Sequence, residues 1–428
     1  MDMFDTNIFE DAMECAKILL LCSTLSITLL AWRRNHDPFS PIKIYLIYSV
    51  FFYLGIYTQK VHWATIVVYF LLLLTIGICI AFEPRSDNTD RSEPVRTLNA
   101  TKLYKIIWLL SVPGILVKLY FIYEAGGVLA YIFNLSFRVK DWAGKGHLVI
   151  WFYILPVLNL SYFCVVITDS EKKWRTRVLF ACHFLIFLAI GLLTGSRSYI
   201  AIALLGMVVV YSFLTKRVRV KWMVLSGIGL IVLAGLIGAM RNNFGNDLEF
   251  SAMTNEQKFE TAQTSYGIIP LEIIFDSQEK SLFYGSTYFS LLTNLIPRGI
   301  FPEKPDTGGI AFTKMYADDQ WGGLSNLATG AVTEGVMNFG MFFGILFGVL
   351  LNSLFLYFGC KIYGKLLKCK KDNTLTIFRV AAYFYVVLAA ARFSFSEFTD
   401  IFQTLFLYAL IPLALLRFSA RLPTHHGR

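Results

Sequence analysis

Arg298 and Lys304 stand in the stretch PRGIFPEKP, where three prolines restrain the backbone that carries both cations. An arginine offers a planar fork that matches two phosphate oxygens, and a lysine offers a compact point charge, so the pair is suited to a diphosphate. The same turn also reads as a solvated basic turn facing lipid headgroups. Downstream, Glu334 lies in TEGVMNFG at the start of an apolar run. A carboxylate partly removed from water there has a raised pKa and suits proton transfer. The structural alternative is an acid in a first helical turn, begun by Thr329 or Thr333. Asn338, Tyr316 and Trp321 are the candidate sugar contacts, the two rings by stacking; Tyr266, Tyr284 and Tyr288 are further rings in the same region.

Arg138, Arg197, Arg241 and Arg392 each lie at or near the junction of an apolar run with a connector on the side of Arg298. That side should be poor in arginine, and ionisable residues at membrane depth usually serve a function. Each taken alone also reads as a snorkelling anchor. With Arg298 they are placed to line one anionic site. Glu272, Asp318, Asp319 and Glu397 are further candidate bases. His62 and His147 stand alone near run ends, and His183 lies mid-run as a packed polar contact. The Asn134-Leu135-Ser136 triplet matches a glycosylation sequon. No Gly-rich phosphate loop with lysine, GxSxG, HExxH or CxxC pair occurs, so ATP hydrolysis, zinc chemistry and serine hydrolysis find no support, and no cofactor or metal is expected.

The elements that must position these residues are membrane helices. The 428 residues are 56% hydrophobic and only 16% charged, with apolar runs near 20 residues recurring along the chain. The net charge of +10 sits largely in short connectors, which is the pattern of cytoplasmic loops and argues against nucleic-acid binding. The seven cysteines fall in or beside apolar runs and imply no disulfide framework. The acidic N-terminus has no basic leader pattern, so the first run is an uncleaved span. The resulting fold class is an all-α polytopic membrane protein of about eleven transmembrane helices, with the N-terminus outside and the C-terminus cytoplasmic. Residues 1–240 hold spans one to eight, 241–330 a large extracytoplasmic loop, and 331–428 spans nine to eleven with a basic tail. Span nine is expected over 332–358. Within the loop, Tyr284, Tyr288, Leu291, Leu292 and Leu295 recur at helical spacing, opposite Ser286, Ser290 and Thr293. This helix, ended by Pro297, either lies in the outer interface or packs on the protein's own spans.

NLIPRGIFPEKP, the downstream GGLSN and TEGVMNFGMFFG resemble the bacterial O-antigen polymerase (Wzy-type) group, the oligosaccharide repeat-unit polymerases. TGSRSYI, with Arg197, is similar to that family's Gly-Ser-Arg turn. The resemblance implies a GT-C-like glycosyltransferase in the bacterial cytoplasmic (inner) membrane, working at its outer face. Donor and acceptor would be polyprenyl-diphosphate-linked oligosaccharides, with polyprenyl diphosphate leaving, membrane lipid as surroundings, and room for a chain-length-regulating partner. Arginines would stabilise the charge that grows on the diphosphate, and a carboxylate such as Glu334 would assist proton removal. A flippase of the same lipid-linked oligosaccharide, an O-antigen ligase, and a purely structural or interaction membrane protein are the alternatives. The absence of visible internal repeats argues against the first, and the absence of a counterpart to the ligases' outer-loop histidine against the second.

Overall fold

The computed structural model describes residues 3–85, 100–133, 142, 145–169, 174–219, scattered residues between 221 and 232, 265–277, 281–316, 329–368 and 374–420. Among the described residues there is no strand. In chain order the helices are α1 (Met3–Arg34), α2 (Pro41–Phe52), α3 (Trp63–Phe82), α4 (Ala100–Glu124), α5 (Val128–Phe133), α6 (Gly146–Tyr153), α7 (Leu155–Thr168), α8 (Trp174–Thr194) and α9 (Arg197–Leu214). There follow α10 (Ile269–Asp276), α11 (Ser286–Thr293), α12 (Gly308–Tyr316), α13 (Gly330–Phe339), α14 (Met341–Leu367), α15 (Thr374–Arg392) and α16 (Phe398–Phe402). α16 runs through a π-helical stretch, Gln403–Leu410, into α17 (Ile411–Ser419).

Among the described residues, seven segments are long and apolar enough to cross a membrane: Glu10–Arg34, Trp63–Phe82, Ala100–Glu124, Gly146–Thr168, Trp174–Thr194, Met341–Leu367 and Phe398–Ser419. Pro41–Phe52 and Ser198–Leu214 are shorter apolar helices. The chain is therefore a multi-pass helical membrane protein. Most of span eight, and 233–264 as a whole, lie outside the described residues.

The expected span nine is two helices. Gly340, at φ 78° and ψ 175°, reverses the chain between α13 and α14, a conformation that glycine adopts at little cost. α13 then runs back along α14. A Cβ on Gly335 would lie 2.3 Å from the Gly344 carbonyl oxygen, and one on Gly348 would lie 2.5 Å from the Val332 Cα. With no side chain between them, the two backbones touch, and the apolar run packs on itself. The ten residues of α13 reach about 15 Å, against about 30 Å for a hydrocarbon core, so α13 does not cross the membrane.

α14 packs against α2, α3, α13 and α15. One end of the bundle is tied by a buried polar knot: Tyr363 Oη donates to Asp37 Oδ2 at 2.9 Å, and Lys43 Nζ to the Asp37 carbonyl at 2.7 Å. At the other end α10, α11 and α12 close over the helix termini. Gly267 N donates to the Phe52 carbonyl, and Ala331 N to the Phe393 carbonyl. Glu272 accepts from His62 N at 2.7 Å and from Thr65 Oγ1, which straps α10 to the start of α3.

α11 packs against the protein, and its polarity is turned inward. Thr287, Ser290 and Thr293 are buried, while Phe289 and Leu292 are exposed. In a membrane this is the favourable arrangement, because lipid accepts the apolar face and leaves the hydroxyls partners only inside the protein.

Candidate active site

Glu334 projects from α13 into the junction of α11, α12 and α16, fully buried. Its Oε1 accepts from Thr287 Oγ1 at 2.8 Å, and its Oε2 from Phe398 N at 2.7 Å. Asn338, one turn on, holds this arrangement from behind. Its Nδ2 donates to Thr287 Oγ1 at 2.8 Å and to the Glu334 carbonyl at 2.7 Å, and its Oδ1 accepts from Gly285 N at 2.9 Å. Ser290 and Thr399 share a hydrogen bond of 2.8 Å beside them. Burial holds the Glu334 carboxyl above the ordinary carboxylate range.

α12 begins directly on this carboxyl. A Cβ on Gly308 would lie 2.6 Å from both Cδ and Oε1 of Glu334, so only glycine lets the helix close there. The neighbouring Gly309 N donates to Oε2 of Glu397. Two residues before Gly308, Asp306 gathers the basic side chains. Arg298 Nη2 donates to its Oδ1, and Lys314 Nζ to its Oδ2 at 2.6 Å. Arg298 Nη1 also holds the Pro302 carbonyl at 3.2 Å. Lys304 Nζ caps the end of α11 through the carbonyls of Asn294 and Ile296, at 2.9 and 2.7 Å. Burial, and then the charge of Arg298, lower the proton affinity of Lys304. The side chains of Arg298 and Lys314 are 47% and 53% exposed, so the cluster is open to an incoming anion. A cavity of about 310 Å³ opens beside it, lined in part by Phe283, Ser286, Asp306 and Lys314.

Arg392 pairs with Asp400 and reaches Thr404 Oγ1 at 3.3 Å. Tyr316 ends α12 and packs on Phe312 with ring centroids 5.4 Å apart. Arg197 opens α9, but its side chain lies outside the described residues, as do Arg138, Arg241, Trp321, Asp318, Asp319 and Asn134. Glu272 is occupied in its strap to α3. His62 caps α3 by accepting from Ala64 N at 3.2 Å. His183 sits between Ser111 and Asn159, at 2.9 Å from each, as a packed polar contact. Among the described residues no three His, Cys, Asp or Glu side chains gather as a metal ion would need.

Three features escaped the sequence reading. The Asp306–Lys314 pair spans a helix whose length was not read from the pattern. The joint seat of Glu334 and Glu397 at Gly308-Gly309 brings together segments far apart in the chain. Lys118 did leave a signal, as a lysine inside an apolar run. It is buried, and its Nζ donates to Tyr131 Oη at 2.8 Å and to the Leu193 carbonyl at 3.0 Å, beside the Trp142 and Phe152 rings. It thereby ties α4 to the end of α8, just ahead of Arg197.

The family model for O-antigen polysaccharide polymerase Wzy matches residues 40–425. That match favours the polymerase over the flippase and the ligase. No curated protein and no solved structure matches the chain.

Proposed function

The chain belongs to the O-antigen polysaccharide polymerase Wzy family, and on that premise we propose how its own residues carry out the polymerisation. The donor is a glycan on polyprenyl diphosphate, and the acceptor is a further lipid-linked repeat unit. A sugar hydroxyl of the acceptor attacks the donor's anomeric carbon, and polyprenyl diphosphate leaves. The activated glycosyl bond supplies the driving force, so the protein's task is to orient two substrates and stabilise the charge growing on the leaving group. We place the reaction at the outer face of the inner membrane. It fits a GT-C-like arrangement of eleven spans, N-terminus outside and C-terminus cytoplasmic, with room for a chain-length-regulating partner.

In this reading Arg298 is the principal ligand of the diphosphate, assisted by Lys304 and Lys314, with Asp306 holding the cluster in shape until substrate arrives. Arg138, Arg197, Arg241 and Arg392 extend the anionic wall. Glu334 accepts the proton of the attacking hydroxyl. A sugar next to the diphosphate occupies the cavity beside Lys314, whose volume lies at the low end of small-ligand sites. Tyr316 and Trp321 are the rings proposed to stack on further sugars. Asn338 reaches a sugar only if α11 shifts, because its side chain is engaged by Thr287 and Gly285.

The observation that carries the proposal is the shared use of α12. Asp306 anchors the cations and Gly308 rests on Glu334. Two residues of chain cover at most about 7 Å, so one short segment holds both the residue that anchors the cations and the glycine that rests on the base.

The test is genetic and biochemical. Deleting the gene should leave surface polysaccharide as single repeat units on gels of extracted lipopolysaccharide. Complementation with Arg298→Ala at wild-type protein level should restore no ladder, and Arg298→Lys should restore a partial one. A full-length ladder in the deletion strain would overturn the polymerase assignment, and a wild-type ladder from Arg298→Ala would remove Arg298 from the site.

A further inference from the structure

Glu334 shares its seat with a second buried carboxylate. Glu397 immediately precedes α16 and is 9% exposed, against 0% for Glu334. The two are interlocked through the backbone. Glu334 accepts from the N–H of Phe398, the residue after Glu397, while Glu397 accepts from the N–H of Gly309, the residue after the glycine that rests on Glu334. A second negative charge in the same dry junction is disfavoured, which opposes joint ionisation of the two.

The charged groups on the surrounding elements are engaged elsewhere. Arg298 and Lys314 hold Asp306, Arg392 holds Asp400, and Glu272 on α10 holds α3. α11 presents the hydroxyls of Thr287 and Ser290, together with Tyr288, whose buried Oη has no hydrogen-bond partner. No described cation is within ion-pair distance of either carboxylate.

We propose that Glu334 and Glu397 hold one proton between them, so that the pair acts as a single base and Glu397 sets the proton affinity and position of Glu334. Burial holds both carboxyls above the ordinary range, and the neighbouring Glu334 charge raises Glu397 further. In the reaction the acceptor's O–H bond breaks and its proton joins the singly ionised pair, which becomes neutral. The hydroxyl oxygen forms the glycosidic bond as the anomeric C–O bond to diphosphate breaks, and the diphosphate leaves with that electron pair. Water then takes the extra proton back to the outside. Glu397 is thus a positioning residue that acts through Glu334.

The inference rests on Glu334 as proton acceptor, and the experiment separates the two claims. Purified full-length protein in liposomes is given lipid-linked repeat units, and polymerisation is followed against pH. Wild type should give a bell: the acid limb falls as the pair takes its second proton and no acceptor is left, and the alkaline limb as it loses its first and the two facing charges push Glu334 out of position. Glu397→Gln should keep the acid limb and lose the alkaline one, with the rate at neutral pH down by no more than about tenfold. A Glu397→Gln profile that keeps both limbs and is merely lower at every pH overturns the inference, as does a wild-type profile without an alkaline limb. An active Glu334→Gln protein instead removes the base itself and overturns the reading on which the inference stands. If Glu397→Gln does not accumulate, infrared spectroscopy of the wild type decides. A protonated-carboxyl band present at neutral pH and absent in Glu334→Gln supports the shared proton, and identical spectra refute it.

Discussion

Gly308→Ala tests the site through a single methyl group. Gly308 does not adopt a positive φ, so alanine is compatible with its backbone, and the cost of the change lies in contact alone. The new Cβ would stand 2.6 Å from Cδ and Oε1 of Glu334. Ordinary contact between such atoms is near 3.5 Å, so the carboxyl or α12 must give way by roughly 0.9 Å. The carboxyl is held by bonds of 2.8 and 2.7 Å to Thr287 and Phe398 N, and a shift of that size carries at least one of them beyond hydrogen-bond range. A hydrogen bond to a charged group contributes roughly 1.5–3 kcal/mol. If that is lost from the positioned base, polymerisation slows roughly 10- to 150-fold. The assay is the rate of ladder growth from lipid-linked repeat units in liposomes, at matched protein amounts. Shortening the crowded side chain should recover part of the loss, so the double variant Gly308→Ala, Glu334→Asp should outperform Gly308→Ala alone. Wild-type rates from Gly308→Ala would refute the argument, because they would mean that displacing Glu334 is without consequence.

Two further predictions concern the scaffold. Gly344→Leu forces apart the touching backbones of α13 and α14; overpacking of this kind costs about 1–3 kcal/mol or more, and membrane levels of the tagged protein should fall on a quantitative blot, an unchanged level contradicting the hairpin. Lys118→Met keeps the volume but removes the donor to the Leu193 carbonyl. An acceptor left unsatisfied there costs about 1–3 kcal/mol, so the detergent-purified protein should melt at lower temperature, and an unshifted melting curve would show that Lys118 does not hold α4 to α8.

The sequence makes the class and the limits of the longest apolar spans legible, each for a physical reason. A hydrocarbon core demands apolar runs of fixed length, so α1, α3, α4 and α8 announce themselves. The prolines and cations around Arg298 are local features and need no tertiary contact to be seen. The reversal at Gly340 was less visible, because an apolar run longer than one span and two helices folded on each other share the same hydropathy. What separates them is the set of small residues, Gly335, Gly344 and Gly348, whose spacing allows backbone contact.

The inward polarity of α11 shows why the site itself was harder to read. In water an amphipathic period fixes both faces, since the apolar one must be buried. In a membrane, lipid is as good a partner for Phe289 and Leu292 as protein is, so the period gives the two faces without saying which is inside. Hydrogen bonding decides instead: Thr287 and Ser290 need partners, and α13 and α16 supply them across the junction through Glu334 and Thr399. A buried carboxylate seated among the inward hydroxyls of a helix whose apolar face is exposed is therefore an arrangement that a membrane favours. It draws Glu334 and Glu397 into one junction although 62 residues of chain lie between them, and no local pattern in either segment records the meeting.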